Sequence, residues 1–356
     1  MRRRTTSLAL AALLVIPSLS AGSTPQVWRV GGVEGWTSAE RESIGVTSEG
    51  RAGLALATQP VDGMEGFMVW ALLREGDGAL AATGDRGILY RLTASGSATV
   101  AAQVIQPEIT ALGRDGKGRV LLGAAPDGVI YRLEGEAAIP VADTPESYVW
   151  KILPDGSDGA LLACGNRAKV YRMSGSGGLE LLADLPCGHV TGLVRDGERL
   201  LATTEAPGRL IEIARDGGVS VLHEAAEGEL REPLPMGDAV YFLANPVEPD
   251  AVGRLYRRSA SGAVEQVWSA IAGSVYHLSA GRDGTLLVGG GADKGKGSIT
   301  RVTPGPPSSW MELVTVTEPQ VICALLDGDG QGWLVTGGQA SVYRISGQGS
   351  HEGAAT

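Results

Sequence analysis

The segment Val69-Trp-Ala-Leu-Leu73 belongs to a set of four matching segments that decides the fold. The others begin 40, 40 and 41 residues further along in turn, and they are Ile109-Thr-Ala-Leu-Gly113, Val149-Trp-Lys-Ile-Leu153 and Val190-Thr-Gly-Leu-Val194. Each is followed by a glycine-containing turn, an apolar run and a third segment such as Gly87-Ile-Leu-Tyr-Arg91. Short strands that repeat at this period, with tight turns and no helical periodicity, predict an all-β repeat fold.

The third segment fixes the number of repeats. Its Tyr-Arg position recurs at Tyr90, Tyr131, Tyr171, Ile211, Tyr256, Thr300 and Tyr343. This spacing predicts a seven-bladed β-propeller of four-stranded blades over residues 51–346. The last repeat has no outer strand after Ser341-Val-Tyr-Arg-Ile345, and residues 347–356 read as a disordered polar tail. We expect Gly53-Leu-Ala-Leu-Ala57 to complete the last blade and so to close the ring.

The N-terminus has the order of a secretory signal peptide. Met1-Arg-Arg-Arg4 precedes an apolar run from Leu8 to Ile16 and then small residues up to Gly22. The run is too short to span a bilayer, so residues 1–22 are expected to leave a secreted or periplasmic product without a transmembrane anchor. Residues 23–50 form an N-terminal extension. Loss of three arginines would change the formal charge from −10 to −13, which argues against nucleic acid as a partner.

The repeats resemble the WD-repeat and YVTN-like propellers of exported bacterial proteins. Gly188-His-Val-Thr191 is similar to the Gly-His start of a WD repeat, and Thr83-Gly-Asp-Arg-Gly-Ile-Leu-Tyr-Arg91 is similar to the looser bacterial propellers. The resemblance covers residues from about 50 to 346, although no Trp-Asp dipeptide occurs. It implies a propeller and a binding surface, and it implies no reaction.

Motifs for catalysis, metals and cofactors fit the sequence poorly. Asp327-Gly-Asp-Gly-Gln-Gly332 lacks the carboxylates of a calcium loop and stands where other repeats have plain turns. Two asparagines are too few for the ligand set of a calcium-dependent lactonase, and no nucleophile elbow is present. Trp70 and Trp150 lie in the innermost strand rather than where quinone-cofactor propellers carry theirs. We expect these two side chains to fill the space between blades, and we expect no catalytic residue, metal or cofactor.

The three cysteines are expected to be structural. Cys164 and Cys187 should lie near one face of the disc and could pair in an oxidising compartment, but free thiols are the favoured interpretation because register alone cannot place them close enough. Cys323 is expected to be a buried apolar residue of the seventh inner strand.

Polar residues converge on one face of the predicted disc. The residue before an inner strand lies where an inter-blade loop reaches the channel mouth, and successive blades place Glu108, Tyr148, His189 and Glu229 there. Loops between second and third strands on the same face add Asp85, Arg86, Asp127, Asn166, Arg167 and Asn245. Convergent polar groups around a hollow predict a binding site, and the alternative is a solvated rim.

Three functions remain open from the sequence. The first is a non-catalytic recognition module for a peptide, glycan or protein. The second is a hydrolase or lyase that acts at the channel mouth, and the third is a structural component of an envelope assembly. A recognition module should bind its ligand without turnover. An enzyme should show turnover that depends on one or two mouth residues. A structural component should associate stably with itself or a partner and bind no small ligand.

Overall fold

The computed structural model describes residues 32–37, 44–65, 68–225, 228–248, 250–292, 295–337 and 341–347. The predicted signal peptide of residues 1–22 and nearly all of the predicted tail lie outside these ranges. One short α-helix, α1 (Gly32–Thr37), precedes the strands. Within the described ranges, none of the helices has the length and apolar character needed to cross a bilayer.

Antiparallel meanders build the first part of the chain, which confirms the all-β prediction. Two sheets hold four strands each in chain order. The first contains β4 (Val69–Glu75), β5 (Gly78–Thr83), β6 (Ile88–Leu92) and β7 (Ala98–Gln103). The second contains β8 (Glu108–Arg114), β9 (Val120–Ala125), β10 (Val129–Glu134) and β11 (Ala137–Asp143).

The middle of the chain forms one twelve-stranded sheet from three further meanders. Single residue pairs, Gly165 with His189 and Glu205 with Glu229, join the meanders. The first meander is β12 (Tyr148–Asp155), β13 (Gly159–Gly165), β14 (Lys169–Met173) and β15 (Leu179–Asp184). The second meander is β16 (His189–Asp196), β17 (Arg199–Glu205), β18 (Arg209–Ile213) and β19 (Val219–Glu224). The third is β20 (Glu229–Met236), β21 (Ala239–Asn245), β22 (Arg254–Arg258) and β23 (Val264–Ser269).

Two more sheets complete the repeats. One contains β24 (Val275–Ala280), a 3-10 turn at Arg282–Gly284, β25 (Leu286–Ala292), β26 (Lys296–Thr303) and β27 (Ser309–Val316). The other contains β28 (Val321–Leu326), β29 (Gly332–Thr336), β30 (Val342–Ser346) and, from the N-terminal side, β3 (Ala57–Pro60).

Tight turns join the first and second strands of the meanders. In the turns after β4, β16 and β20 only two residues separate the strands, and the first is Gly76, Gly197 or Gly237 with φ of 56°, 60° or 64°. Hairpin loops of two residues need this left-handed backbone, which glycine adopts without a Cβ clash. The glycine-containing turns predicted from the sequence therefore occur at these positions.

The first strands lie side by side around a common centre. β4, β8, β12, β16, β20, β24 and β28 each contact the next strand of this series, and β28 contacts β4. Their opening apolar residues are at most 1% exposed, and they are Val69, Ile109, Val149, Val190, Leu230, Val275 and Val321. Core clusters join side chains of neighbouring meanders, so the core lies between the meanders.

A tyrosine in the third strand fixes the loop that leads into several first strands. The hydroxyl groups of Tyr131, Tyr171 and Tyr343 donate to Gln106, Glu146 and Glu318 over 2.6, 3.0 and 2.8 Å, each partner lying 25 residues earlier. Burial alone would raise the pKa of Glu318, but hydrogen bonds from Tyr343, Ser341 and Thr317 outweigh it and lower that pKa. The recurrent Tyr therefore holds in place the loop that precedes each of these first strands.

The N-terminal segment reaches two sheets. β1 (Ile44–Val46) and β2 (Ala52–Leu54) form a hairpin against β27, where the Ser48 amide donates to the Trp310 carbonyl over 2.8 Å. β3 then pairs with β30, with Ala57 opposite Ser346. The prediction that Gly53–Ala57 forms this outer strand is wrong in position, because Gly53 is needed in the hairpin, where a Cβ would crowd the Met311 methyl group.

Pairing of β3 with β30 should contribute strongly to stability. Removal of residues 1–60 leaves the edge of β30 unpaired and takes away Leu56, which packs against the apolar cluster that contains Leu313 and Ile345. We expect the thermal midpoint to fall by roughly 10 °C or more. Removal of residues 348–356 serves as the control and should leave the midpoint nearly unchanged. Differential scanning calorimetry measures both, and equal midpoints would contradict the importance of this pairing.

Candidate functional site

Six of the seven first strands carry one extra residue near the start, and β20 carries two. The pairing of β4 with β5 passes from Val69 to Ala71 and leaves Trp70 without a partner. The same β-bulge occurs in the other first strands. The unpaired residues are Thr110, Trp150, Thr191, Tyr276 and Ile322, with Glu232 and Pro233 in β20. Bulges re-aim side chains in this way and often occur beside functional sites.

The bulged residues surround a central cavity of about 560 Å³, which we call the channel cavity. All seven first strands contribute to its wall, and His189, Glu205 and Gln320 lie at the end where those strands begin. We call that end the mouth. The prediction that Trp70 and Trp150 fill the space between blades is therefore wrong, because the bulge turns both indoles into the channel.

Aromatic side chains form one side of the channel cavity. The rings of Trp70 and Trp150 meet edge to face at 6.0 Å between centroids. Tyr148 stacks parallel on Trp150 at 5.1 Å, and His189 packs edge-on against both rings. Thr110, from the strand between the two tryptophans, is small enough to let the indoles approach each other.

Glycines at the ends of second strands make room for this aromatic group. A Cβ at Gly84 would lie 2.5 Å from the Nε1 atom of Trp70. A Cβ at Gly165 would overlap the Nε1 atom of Trp150 and the Nδ1 atom of His189. The pairing of a tryptophan with a glycine 14 or 15 residues later is a sequence signal for the channel wall.

A hydrogen bond on the aromatic side sets the orientation of His189 beside a carboxylate. Trp150 donates from Nε1 to the Nδ1 atom of His189 over 2.9 Å. The Nε2 atom of His189 lies 3.6 Å from Glu205 Oε1, which is too long for a hydrogen bond. An indole nitrogen only donates, so Nδ1 accepts and the Nε2 edge of the ring faces Glu205.

Charged residues form the opposite side. Lys151 of β12 reaches past β16 to Glu232 of β20, with Nζ and Oε1 2.6 Å apart. Burial would raise the pKa of Glu232, but Lys151 and Arg231 outweigh it and lower that pKa. Glu232 also has a left-handed backbone with φ of 47° immediately before Pro233. Strain of this kind in a non-glycine residue is frequent at functional sites.

Arg231 has partners of its own on this side. It pairs with Glu229, and its guanidinium lies 5.5 Å from the centroid of the Tyr276 ring. Asn245 donates to Glu229 over 3.1 Å and exchanges hydrogen bonds with the backbone of Val275 over 2.8 and 2.9 Å. Glu229 and Asn245 therefore brace Arg231 and the neighbouring strand β24.

The remaining predicted site residues occupy the same face but do not line the channel cavity. Glu108 begins β8 at the rim. The loop residues have local partners: Arg86 lies 3.3 Å from Glu65, Gln106 donates to Asp127 over 3.2 Å, and Asn166 donates to Ser147 over 2.9 Å. Asp85 lies 3.5 Å from Arg86, and Arg167 follows Asn166 in its loop. Of the ten predicted residues, the structure places His189 in the cavity wall and Tyr148 against it.

Cys323 also lines the channel cavity, where we expected a buried core residue. Burial raises the pKa of its thiol to about 11, so the thiol is protonated at neutral pH. Cys164 and Cys187 are free thiols, as favoured from the sequence. Within the described ranges, no group of three or more His, Cys, Asp or Glu side chains is arranged to hold a metal ion.

Comparison with known proteins shows the fold. No family model matches the chain, and no curated protein matches it. Virginiamycin B lyase from Staphylococcus aureus is similar in structure with a TM-score of 0.65 and 12% identity, over 82% of this chain and 98% of that chain. YCF48 bound to a D1 peptide has a TM-score of 0.64 and 13% identity, over 82% and 97%. The WD40 propeller domain of Doa1 has a TM-score of 0.60 and 14% identity, over 83% and 97%.

The chain therefore has a β-propeller fold, as the resemblance of its repeats implied. At these identities the likeness extends to the fold alone.

The ion pair across the channel provides a first test of this geometry. Lys151→Met leaves Glu232 half-buried without its cation, and we expect a loss of about 2 kcal/mol in the free energy of unfolding. Adding Glu232→Gln should recover at least half of that loss, since no carboxylate then lacks a partner. Urea denaturation of the two single variants and the double variant gives the coupling energy. Additive effects would contradict a direct pair.

His277 should make the stability depend on pH. Burial lowers the pKa of His277 from 6.5 to about 4, because it outweighs the nearby Glu232 carboxylate, which raises that pKa. Lys151 makes a smaller contribution in the same direction as burial. The unfolded chain therefore binds a proton between these values that the folded chain does not, so stability falls as pH decreases from about 6.5 to 4. The contribution is at most about 3 kcal/mol. His277→Gln should reduce the loss in urea titrations between pH 7.5 and 4.5, and an unchanged slope would contradict it.

Proposed function

We propose that this protein is a non-catalytic recognition module that binds a peptide or protein partner at the mouth of the channel cavity. The observation that carries the proposal is the cavity itself, because seven bulged strands direct side chains into one space with an aromatic side and an ionic side. Apolar walls with a few fixed polar groups are typical of binding sites. Glu108, Tyr148, His189 and Glu229, with the loop residues on the same face, form the surrounding contact surface in this proposal.

The proposal includes the arrangement of the whole ring. The meanders represent seven four-stranded blades, and β3 completes the last blade through its pairing with β30. The contact of β28 with β4 supports a closed ring. We also propose that the chain is exported, on the basis of its first 22 residues, and that its ligand is therefore met outside the cytoplasm.

Peptide binding has support from a structural neighbour. The YCF48 propeller is bound to a D1 peptide, whereas virginiamycin B lyase is an enzyme, so propellers of this shape serve both purposes. The feature that favours the alternative of a mouth enzyme is the pair of His189 and Glu205, which could transfer a proton. A structural role in an envelope assembly is the third possibility, and it predicts no dependence on the cavity.

Substitution inside and outside the cavity tests the proposal. Partners captured from an envelope extract on the purified protein are identified, and the dissociation constant of the purified complex is then measured by calorimetry. Trp70→Ala should weaken binding by about 10-fold or more, since aromatic anchors dominate such sites. Trp310→Ala is the matched control because Trp310 lies on the outer strand β27, and it should leave the affinity unchanged.

Three results would contradict the proposal. Equal affinity of Trp70→Ala and the unaltered protein would move the site away from the channel. Chemical conversion of the captured partner, lost in His189→Gln while binding persists, would establish the enzyme. Stable association that neither variant disturbs would favour the structural role.

A further inference from the structure

We infer that the group bound in the channel cavity is a cationic side chain, a lysine or arginine presented by a basic segment of a protein partner, and that Glu205 receives it. This inference rests on the proposed function and specifies the chemistry of its ligand. It depends on the charge balance of the cavity, on the orientation of His189 and on the neighbouring indoles.

Glu205 is a carboxylate without a cation. The imidazole nitrogen His189 Nε2 lies 3.6 Å away, beyond hydrogen-bond distance, while Nδ1 of the same ring accepts the Trp150 hydrogen bond. Among the described residues no lysine or arginine forms an ion pair with Glu205, whose side chain is 38% exposed. A cationic ligand can therefore reach this carboxylate at the mouth without displacing a lysine or arginine of the described chain.

The cations of the cavity are already matched. Lys151 pairs with Glu232, and Arg231 pairs with Glu229. The remaining charge in the cavity wall is negative, from Glu205, while Glu108 and the exposed Arg167 lie outside the wall. An anionic ligand would meet this unmatched charge and would have to displace an existing partner of Lys151 or Arg231.

The aromatic side suits the same kind of ligand. Trp70 and Trp150 are half-buried, so part of each indole borders the cavity. A lysine or arginine over an indole gains about 0.5–2 kcal/mol, and its methylene groups are covered by the same ring. A neutral sugar could stack on the indoles, but it would cover Glu205 without supplying a counter-charge, which is costly for a carboxylate.

Defined peptides test the charge requirement. The probe is a ten-residue Gly/Ser peptide with one central lysine, compared with the same peptide carrying arginine or Nε-acetyl-lysine. Binding is followed by NMR through the indole N–H signal of Trp150, assigned by its loss in Trp150→Phe. We expect the lysine and arginine peptides to bind at least about 5-fold more tightly than the acetylated one, which keeps the stem and loses the charge.

Removal of the carboxylate should abolish this preference. In Glu205→Gln the lysine and acetyl-lysine peptides should bind equally. Glu198→Gln makes the same charge change at an 88% exposed position in a turn between first and second strands, and it should keep the full preference. Glu205→Gln must also retain its thermal midpoint, so that a loss of preference reflects the ligand and not the fold.

The outcomes separate the ligand class from the function. Equal binding of charged and acetylated peptides, absence of a Trp150 shift at millimolar lysine peptide, or an unchanged preference in Glu205→Gln would each overturn the cationic assignment. A Trp150 shift with neutral oligosaccharides alone would overturn it in favour of a glycan. A captured partner that depends on Trp70 but not on Glu205 would leave the recognition function in place and refute only the charge requirement.

Discussion

Extra residues in every first strand are the constraint on which the channel depends. Regular strand alternation would assign every side chain of these strands to one neighbouring sheet or the other. The Val, Ile or Leu near the start of each strand stays buried in the core, and the bulge directs a later side chain into the channel. The bulged residue differs from strand to strand, from Trp70 to Thr110 to Glu232. The same scaffold can therefore carry different channel chemistries.

The two sides of the channel differ in how their carboxylates are paired. On the ionic side Lys151, a residue of β12, satisfies Glu232, a residue of β20, and this contact accompanies the strained backbone before Pro233. On the aromatic side the Nε2 edge of His189 faces Glu205, and among the described residues no lysine or arginine pairs with that carboxylate. An unmatched carboxylate beside indoles is less well solvated than one in open water, so it gains more from a ligand of opposite charge.

The sequence predicted local features well and long-range contacts poorly. Repeat length, turn positions and the recurrent Tyr-Arg strand could be read because each depends on neighbours along the chain. The outer strand was placed a few residues early. Hydrophobic alternation cannot distinguish a strand that starts at Gly53 from one that starts at Ala57, and only the packing of Gly53 against Met311 places Gly53 in the hairpin. The channel residues were assigned two or three positions too early, because a bulge has no signature in hydrophobic alternation. The pair of Lys151 and Glu232 joins residues 81 apart and could not be found from spacing.

Pairing of β3 with β30 joins two segments that lie far apart in the sequence. Ribosomes make Ala57 before any of the repeats and its partner Ser346 only at the end of the third strand of the seventh. Until then β3 has no strand beside it, and β4 lacks the neighbour that β28 provides. Contacts this distant in sequence form slowly and leave strand edges open in the meantime. A chain that stops short of its last repeat would keep those edges, so this topology distinguishes complete from incomplete molecules and exposes the incomplete ones to proteases.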